Sequence, residues 1–150
     1  MAEIKAVAER EIGAPAKDVY RYISDFREHH PRFLPPNFSN LKVEKGGVGK
    51  GTVVSFHLKA GMRERDYRVE IAEPERGRVM TESDTESSMV TRWTVSPAGK
   101  NSRVQIETTW QGAGGVGGFF ERMFAPLVLR RLYQNELGRL DEYARQRRRS

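Results

Sequence analysis

Cysteine is missing from the chain altogether, so there is no disulfide framework, no thiolate nucleophile and no cysteine-based zinc site. Equally absent is any apolar run near the roughly 18 residues a membrane-spanning helix needs, which excludes a helical crossing of the bilayer. The opening MAEIKAVAERE carries acids where a secretory signal would be basic and then apolar, so the expectation is a cytoplasmic protein. No internal repeat and no composition break appears, and 150 residues suffice for one domain with a real core. One domain over residues 1–150 is therefore expected.

Charge of one sign is also in deficit: 20 Asp and Glu face 26 Lys and Arg, for a net charge of +6. Part of that excess is local, because Arg145, Arg147, Arg148 and Arg149 crowd the end of the chain. Cations suit the negative end of a helix dipole, so a solvated helix terminus is the plain reading, with an anionic partner the other. No aromatic-plus-basic recognition motif accompanies them, which makes nucleic acid an unlikely partner and leaves peripheral membrane contact open.

What is present is a change of hydrophobic period along the chain. Ile4, Ala6, Ala8 and Ile12 share one parity and predict a half-buried strand over Glu3 to Ile12. Pro15 then opens a short helix to Ser24, with Val19, Tyr22 or Ile23, and Phe26 at helical spacing. Three prolines between Pro31 and Pro36 allow only a one-turn helix, over Pro31 to Leu34. From Leu41 the period becomes two. Strands are expected from Leu41, over Thr52 to Leu58, Arg63 to Glu73, Arg78 to Ser83, Met89 to Ser96 and Ser102 to Trp110, joined by Gly- and Pro-containing turns. After Gly112 to Gly118, five glycines in seven residues, Phe120, Met123 or Phe124, Leu127, Leu132 or Tyr133, Leu137, Leu140 and Ala144 fall on one side of a terminal helix. That helix is predicted at roughly 20 to 30 residues, kinked or begun at Pro126.

The expected architecture is α+β: a curved antiparallel sheet of about six to seven strands wrapped around the long terminal helix, with one or two short helices after strand 1. At this point the residues resemble the START and birch-pollen-allergen-like superfamily, the helix-grip fold, and within it the polyketide cyclase/dehydrase and lipid-transport group. The resemblance runs over nearly the whole chain. It is carried by Ile12 to Tyr20 before the first helix, Ser24-Asp25-Phe26 at its end, Gly46 to Thr52 and Ala72 to Arg78 at turns, Gly99 to Val104, and the final helix.

The resemblance implies a deep, mostly apolar pocket between sheet and helix that binds lipids, polyketides or other hydrophobic molecules. On strand parity Tyr67, Val69, Ile71, Trp93, Val95, Ile106, Thr108 and Trp110 point inward. Phe56 joins them more weakly, and Phe120, Phe124 and Leu127 would face them from the helix. Each could equally fill a solid core, but polar tips such as those of Tyr67, Trp93, Thr108 and Trp110 need partners, which favours a wet or ligand-filled cavity of several hundred cubic ångströms.

Candidates for covalent or proton chemistry are sparse. His57 lies on a strand with no acid or nucleophile legible beside it, so a structural or surface role is expected. His29 and His30 stand near Asp25 and Glu28 but lack a further ligand at sensible spacing, so no metal site is expected. Gly112 to Gly118 lacks the lysine and Ser/Thr of a phosphate loop and reads as a flexible turn able to gate the pocket. No cofactor motif is legible. Ser87-Ser88 shows no nucleophile elbow, and Asp25, Asp84 and Asp141 show no pairing. The leading expectation is a binding or carrier protein for a hydrophobic small molecule. The alternatives are a cyclase or dehydratase using Tyr67, His57, Arg92 or Thr108 for proton transfer, or a module whose basic surface associates with ribosomes or with quinone at a membrane.

Overall fold

The alternating residues pair into a sheet because each strand has one apolar face to bury. The computed structural model describes residues 3–112 and 115–149, apart from the side chains of residues 115–124 and 149. The elements are β1 (Glu3–Ile12), α1 (Ala16–Ser24), a 3-10 turn (His30–Phe33), β2 (Phe38–Lys45), β3 (Val53–Ala60), β4 (Arg63–Glu75), β5 (Val79–Asp84), β6 (Val90–Ala98), β7 (Asn101–Gln111) and α2 (Gly115–Arg149). The seven strands form one antiparallel sheet in the order β1-β7-β6-β5-β4-β3-β2. Each hairpin therefore pairs chain neighbours, and β1 closes against β7 with Ile4 opposite Trp110 and Ile12 opposite Ser102.

Burial follows the predicted parity. Ile4, Ala6, Ala8 and Ile12 are buried on β1, Val69 and Ile71 on β4, Trp93 and Val95 on β6, and Val104, Ile106 and Thr108 on β7. The stripe of α2 completes this core with Leu132, Tyr133, Leu137, Leu140 and Ala144. The helix lies along β1 and touches β3 and the 3-10 turn, while α1 packs against β6 and β7. That is a sheet gripping one helix.

Three expectations need correction. Strand β2 starts at Phe38, not Leu41, because the Phe38 amide closes a turn onto the Pro35 carbonyl and Phe38 pairs with Leu58. The 3-10 turn spans His30–Phe33, one residue earlier than predicted, since the His30 amide already donates to the Asp25 carbonyl. The terminal helix has 35 residues, beyond the roughly 20 to 30 expected, because the last glycines of the run and Pro126 are absorbed into it. Their low intrinsic propensity is outweighed by the long face that packs on β1. The predicted gating turn falls in part on residues 113 and 114, which lie outside the described residues.

The Gly-rich turn between β2 and β3 has a specific task. Gly49 (φ 65) donates its amide to the Ser24 carbonyl, and Gly47 accepts from the Phe26 amide, so the turn clamps the end of α1. A Cβ on Gly49 would stand 2.4 Å from the Glu73 carboxylate, which explains a bare backbone there.

Candidate functional site

Between the sheet and α2 lies a partly open cavity of about 40 Å³. Its apolar wall comes from β2 to β4 and from the segment after α1: Phe26, Leu34, Phe38, Val54, Phe56 and Val69. Rings meet in series along this wall, Phe38 against Phe56 at 5.4 Å and Phe56 stacked on Tyr67 at 5.6 Å between centroids. The other end is polar and comes from β5, β6, the 3-10 turn and α2: Glu82, Thr91, Trp93, His30, Tyr133 and Glu136.

Register explains why polar groups collect there. Glu82 pairs with Thr91, and Thr91 with Thr108, so three inward-facing polar residues lie in a row across β5, β6 and β7. The Trp93 indole N–H donates to Glu82 Oε2 at 2.5 Å. Thr91 and Thr108 share a hydrogen bond of 2.7 Å, and Thr108 meets the Tyr133 hydroxyl at 2.5 Å. From the helix, Glu136 is only 2% exposed, and among the described residues its carboxyl makes no hydrogen bond. His30 Nε2 lies 3.7 Å from its Oε2. His30 Nδ1 lies 2.7 Å from the Ile23 carbonyl oxygen, which can only accept, so that nitrogen carries the proton and Nε2 presents a lone pair to Glu136.

Burial fixes the charge states. It drives the Glu82 carboxyl up to about 7 against the counter-pull of the Trp93 N–H. It raises Glu136 well above the usual carboxylate range, with the neighbouring Glu82 adding to the effect. His30 is pushed down to about 4 by burial, so its ring is neutral at pH 7. The third acid of the lining behaves differently. Burial pushes Asp84 up, but the Ser87 hydroxyl, the Glu86 amide and Arg65, whose guanidinium is 2.9 Å away, together hold it below the ordinary range.

The predicted site residues divide accordingly. Phe56, Tyr67, Val69 and Trp93 line the cavity. Ile106 and Thr108 are fully buried beside it and are not part of its wall, with Thr108 reaching it only through Thr91 and Tyr133. Trp110 is only partly buried, opposite Ile4 near the β7 end, away from the lining. Leu127 does not face inward: it is 54% exposed, in an open groove along β1 with Lys5, Pro126, Arg130 and Gln134, because α2 turns that face away from the sheet. The side chains of Phe120 and Phe124 lie outside the described residues. The cavity is also far smaller than the several hundred cubic ångströms expected, since the stacked rings and Trp93 fill much of the interior.

Other candidates sit elsewhere. His57 is at the surface, bridging Asp66 at 2.7 Å and Glu64 at 2.8 Å, acids that register places beside it and that linear reading did not connect. His29 turns to the Tyr143 hydroxyl, 2.6 Å away, and so diverges from His30. Asp141 accepts from the Gly13 amide, Arg10 and Arg145. Arg148 reaches the Gly13 carbonyl, and Arg147 lies over Tyr22 and Tyr143, so this basic end of the chain is tied to the fold.

Glu82 and Glu136 were missed in the sequence, although a signal was present. Glu82 lies two residues from Met80 and from Asp84 on β5, and Glu136 lies four residues from both Leu132 and Leu140 on the apolar stripe of α2.

With this geometry in hand, comparison with known proteins places the chain. The profile of the polyketide cyclase/dehydrase and lipid transport family matches residues 3–145. The solution structure of the KanY protein is 39% identical, with a TM-score of 0.85, covering 97% of this chain and 99% of that one. The Zhui aromatase/cyclase from Streptomyces sp. R1128 is 16% identical, with a TM-score of 0.78 and coverage of 97% and 96%. A START superfamily protein from Mycobacterium smegmatis is 14% identical, with a TM-score of 0.72 and coverage of 93% and 98%. No curated protein matches.

Proposed function

The chain belongs to the polyketide cyclase/dehydrase and lipid transport family, and we propose that it binds a hydrophobic small molecule with one polar end, as a carrier or receptor. Residues 1–150 act in this reading as one ligand-binding domain. The observation that carries it is the two-ended cavity: aromatic walls at Phe38, Phe56 and Tyr67, and polar side chains at Glu82, Glu136 and His30. A solid core gains nothing from two inward-facing acids, one held by the Trp93 N–H and the other without a hydrogen bond among the described residues, because their desolvation opposes folding. A ligand that occupies the apolar part and bonds the acids gives them a use.

At about 40 Å³ the unliganded cavity holds only a few waters, so uptake requires the wall to open. The half-buried side of that wall, with Phe38, Leu41, Phe56 and Tyr67 packed only partly against the core, is the place for it. Native mass spectrometry of protein purified without detergent tests the reading. A mass excess lost on denaturation, with an apolar compound in the extract, is the expected result. A clean apo mass, with no uptake of added apolar compounds, would refute it.

One observation favours an enzymatic second reading. His30 Nε2 and the Glu136 carboxyl form an acid and a base within one cavity, as proton transfer to and from a bound carbonyl compound requires. These two replace Tyr67, His57, Arg92 and Thr108 as the residues on which such chemistry would rest. Turnover lost in both His30→Ala and Glu136→Gln, with binding kept, would support it over simple carriage.

A further inference from the structure

The polar end of the cavity is rich in hydrogen-bond acceptors, and its N–H donors are already committed. The Trp93 N–H is committed to Glu82, and the His30 Nδ1–H to the Ile23 carbonyl. Thr91, Thr108 and Tyr133 bring three hydroxyl protons and spend two of them on one another. What remains facing the space is the second oxygen of Glu82, the Glu136 carboxyl and the Nε2 lone pair of His30. Among the described residues of the lining there is no Lys or Arg, and the one acid with a cationic partner, Asp84, is already held by Arg65.

A ligand with a carboxylate or phosphate head would meet two acids and a lone pair, with no cation to compensate its desolvation. A neutral acceptor such as a ketone takes only the O–H of a protonated acid and leaves the other acceptors without a donor. A protonated amine brings up to three N–H donors to these acceptors, and a positive charge to a lining that holds no Lys or Arg among its described residues. The walls suit it as well, since aromatic rings such as those of Phe56 and Trp93 line the space and attract a cation within reach.

We infer that the cavity selects an amine, an apolar body carrying a protonated primary or secondary nitrogen, with Glu82 and Glu136 as its joint anchors. This rests on the cavity being a binding site at all. Burial leaves both acids largely protonated in the empty protein, so the ammonium recruits a carboxylate by displacing its proton, and binding releases protons to solvent.

The test uses three probes with one body and three heads: octylamine, octanol and octanoate, titrated calorimetrically into the wild-type protein in two buffers of different ionisation heat. Octylamine should bind at least about tenfold tighter than octanoate and octanol, with about one proton released per amine at pH 6 and none with octanol. Glu136→Gln, which keeps the shape of the side chain, should remove most of that preference and reduce the proton release. Octanol or octanoate binding as tightly as octylamine overturns the amine assignment and leaves the binding reading standing. Binding of none of the three overturns both.

Discussion

The two ends of the space between the sheet and α2 share that helix and follow different rules. At one end Ile12, Val19, Ile23, Val104, Leu137, Leu140 and Ala144 are fully or nearly fully buried; there Asp141 takes bonds from Gly13, Arg10 and Arg145, while the small Ser102 hydroxyl is buried without a partner. At the other end Phe38, Phe56 and Tyr67 are only partly buried, a gap remains, and Glu82 and Glu136 stand inside with too few donors. The packed end supplies stability to the fold. The loose end gives some up and gains a chemical surface facing inward, as functional sites do.

The largest expected contrast is in the cost of truncation. Leu140→Ala at the packed end should destabilise the protein by about 3–5 kcal/mol in urea unfolding, whereas Phe56→Ala, already beside empty space and only partly buried, should cost less than about half as much. Equal costs would break the distinction between the two ends.

The next contrast is in pH. Glu82 and Glu136 titrate higher in the folded chain than in the unfolded one, so the unfolded state loses their protons first and the stability they contribute at low pH disappears as pH rises. For Glu82 the window runs from the ordinary carboxylate value of 4.5 to about 7, a loss of the order of 2–3 kcal/mol. His30 runs the other way: depressed from 6.5 to about 4, it costs stability as pH falls through that window, because the unfolded state takes the proton first. The double variant Glu82→Gln, Glu136→Gln should therefore gain on the wild type as pH rises from 4.5 to 7, leaving a curve shaped by His30. Parallel curves for the two proteins would show that the acids are not buried as described.

Asp141→Asn should cost about 1–2 kcal/mol near pH 7, by weakening charge-assisted bonds that hold Gly13 and Arg145, and the difference should shrink below pH 4 as the wild-type carboxylate takes up its proton. Ligand uptake should be unchanged. The smallest effect is expected of Leu127→Ala: within about 0.5 kcal/mol in stability and none on uptake, as befits an exposed side chain outside the cavity.

These contrasts also mark how far sequence reading reached. The strands were legible because one buried face imposes a period of two, and β4 showed it most cleanly through Tyr67, Val69 and Ile71. Whereas Phe56 lies in a stretch without decisive alternation, the same parity led to three of the cavity-lining residues, Tyr67, Val69 and Trp93. It did not lead to Glu82 or Glu136, because binary patterning takes a charged residue on an apolar face as an interruption, and only the neutral state enforced by burial makes the placement tenable. Cavity size was illegible for a different reason: it depends on how Phe56, Tyr67 and Trp93 choose their rotamers against one another, which spacing does not encode. Leu127 falls on the apolar stripe of α2, but helical periodicity does not say which way each part of that stripe turns relative to the sheet.

The central claim, that the loose end is a ligand site and the packed end is not, is most directly tested by amide chemical-shift mapping during an octanol titration. The shifts should concentrate on β3 to β6 around Phe56, Tyr67, Glu82 and Trp93 and on α2 around Tyr133 and Glu136, leaving Ile12 and Leu140 to Ala144 unmoved. Saturable shifts confined to the groove of Lys5, Leu127 and Arg130, or none at all, would contradict it.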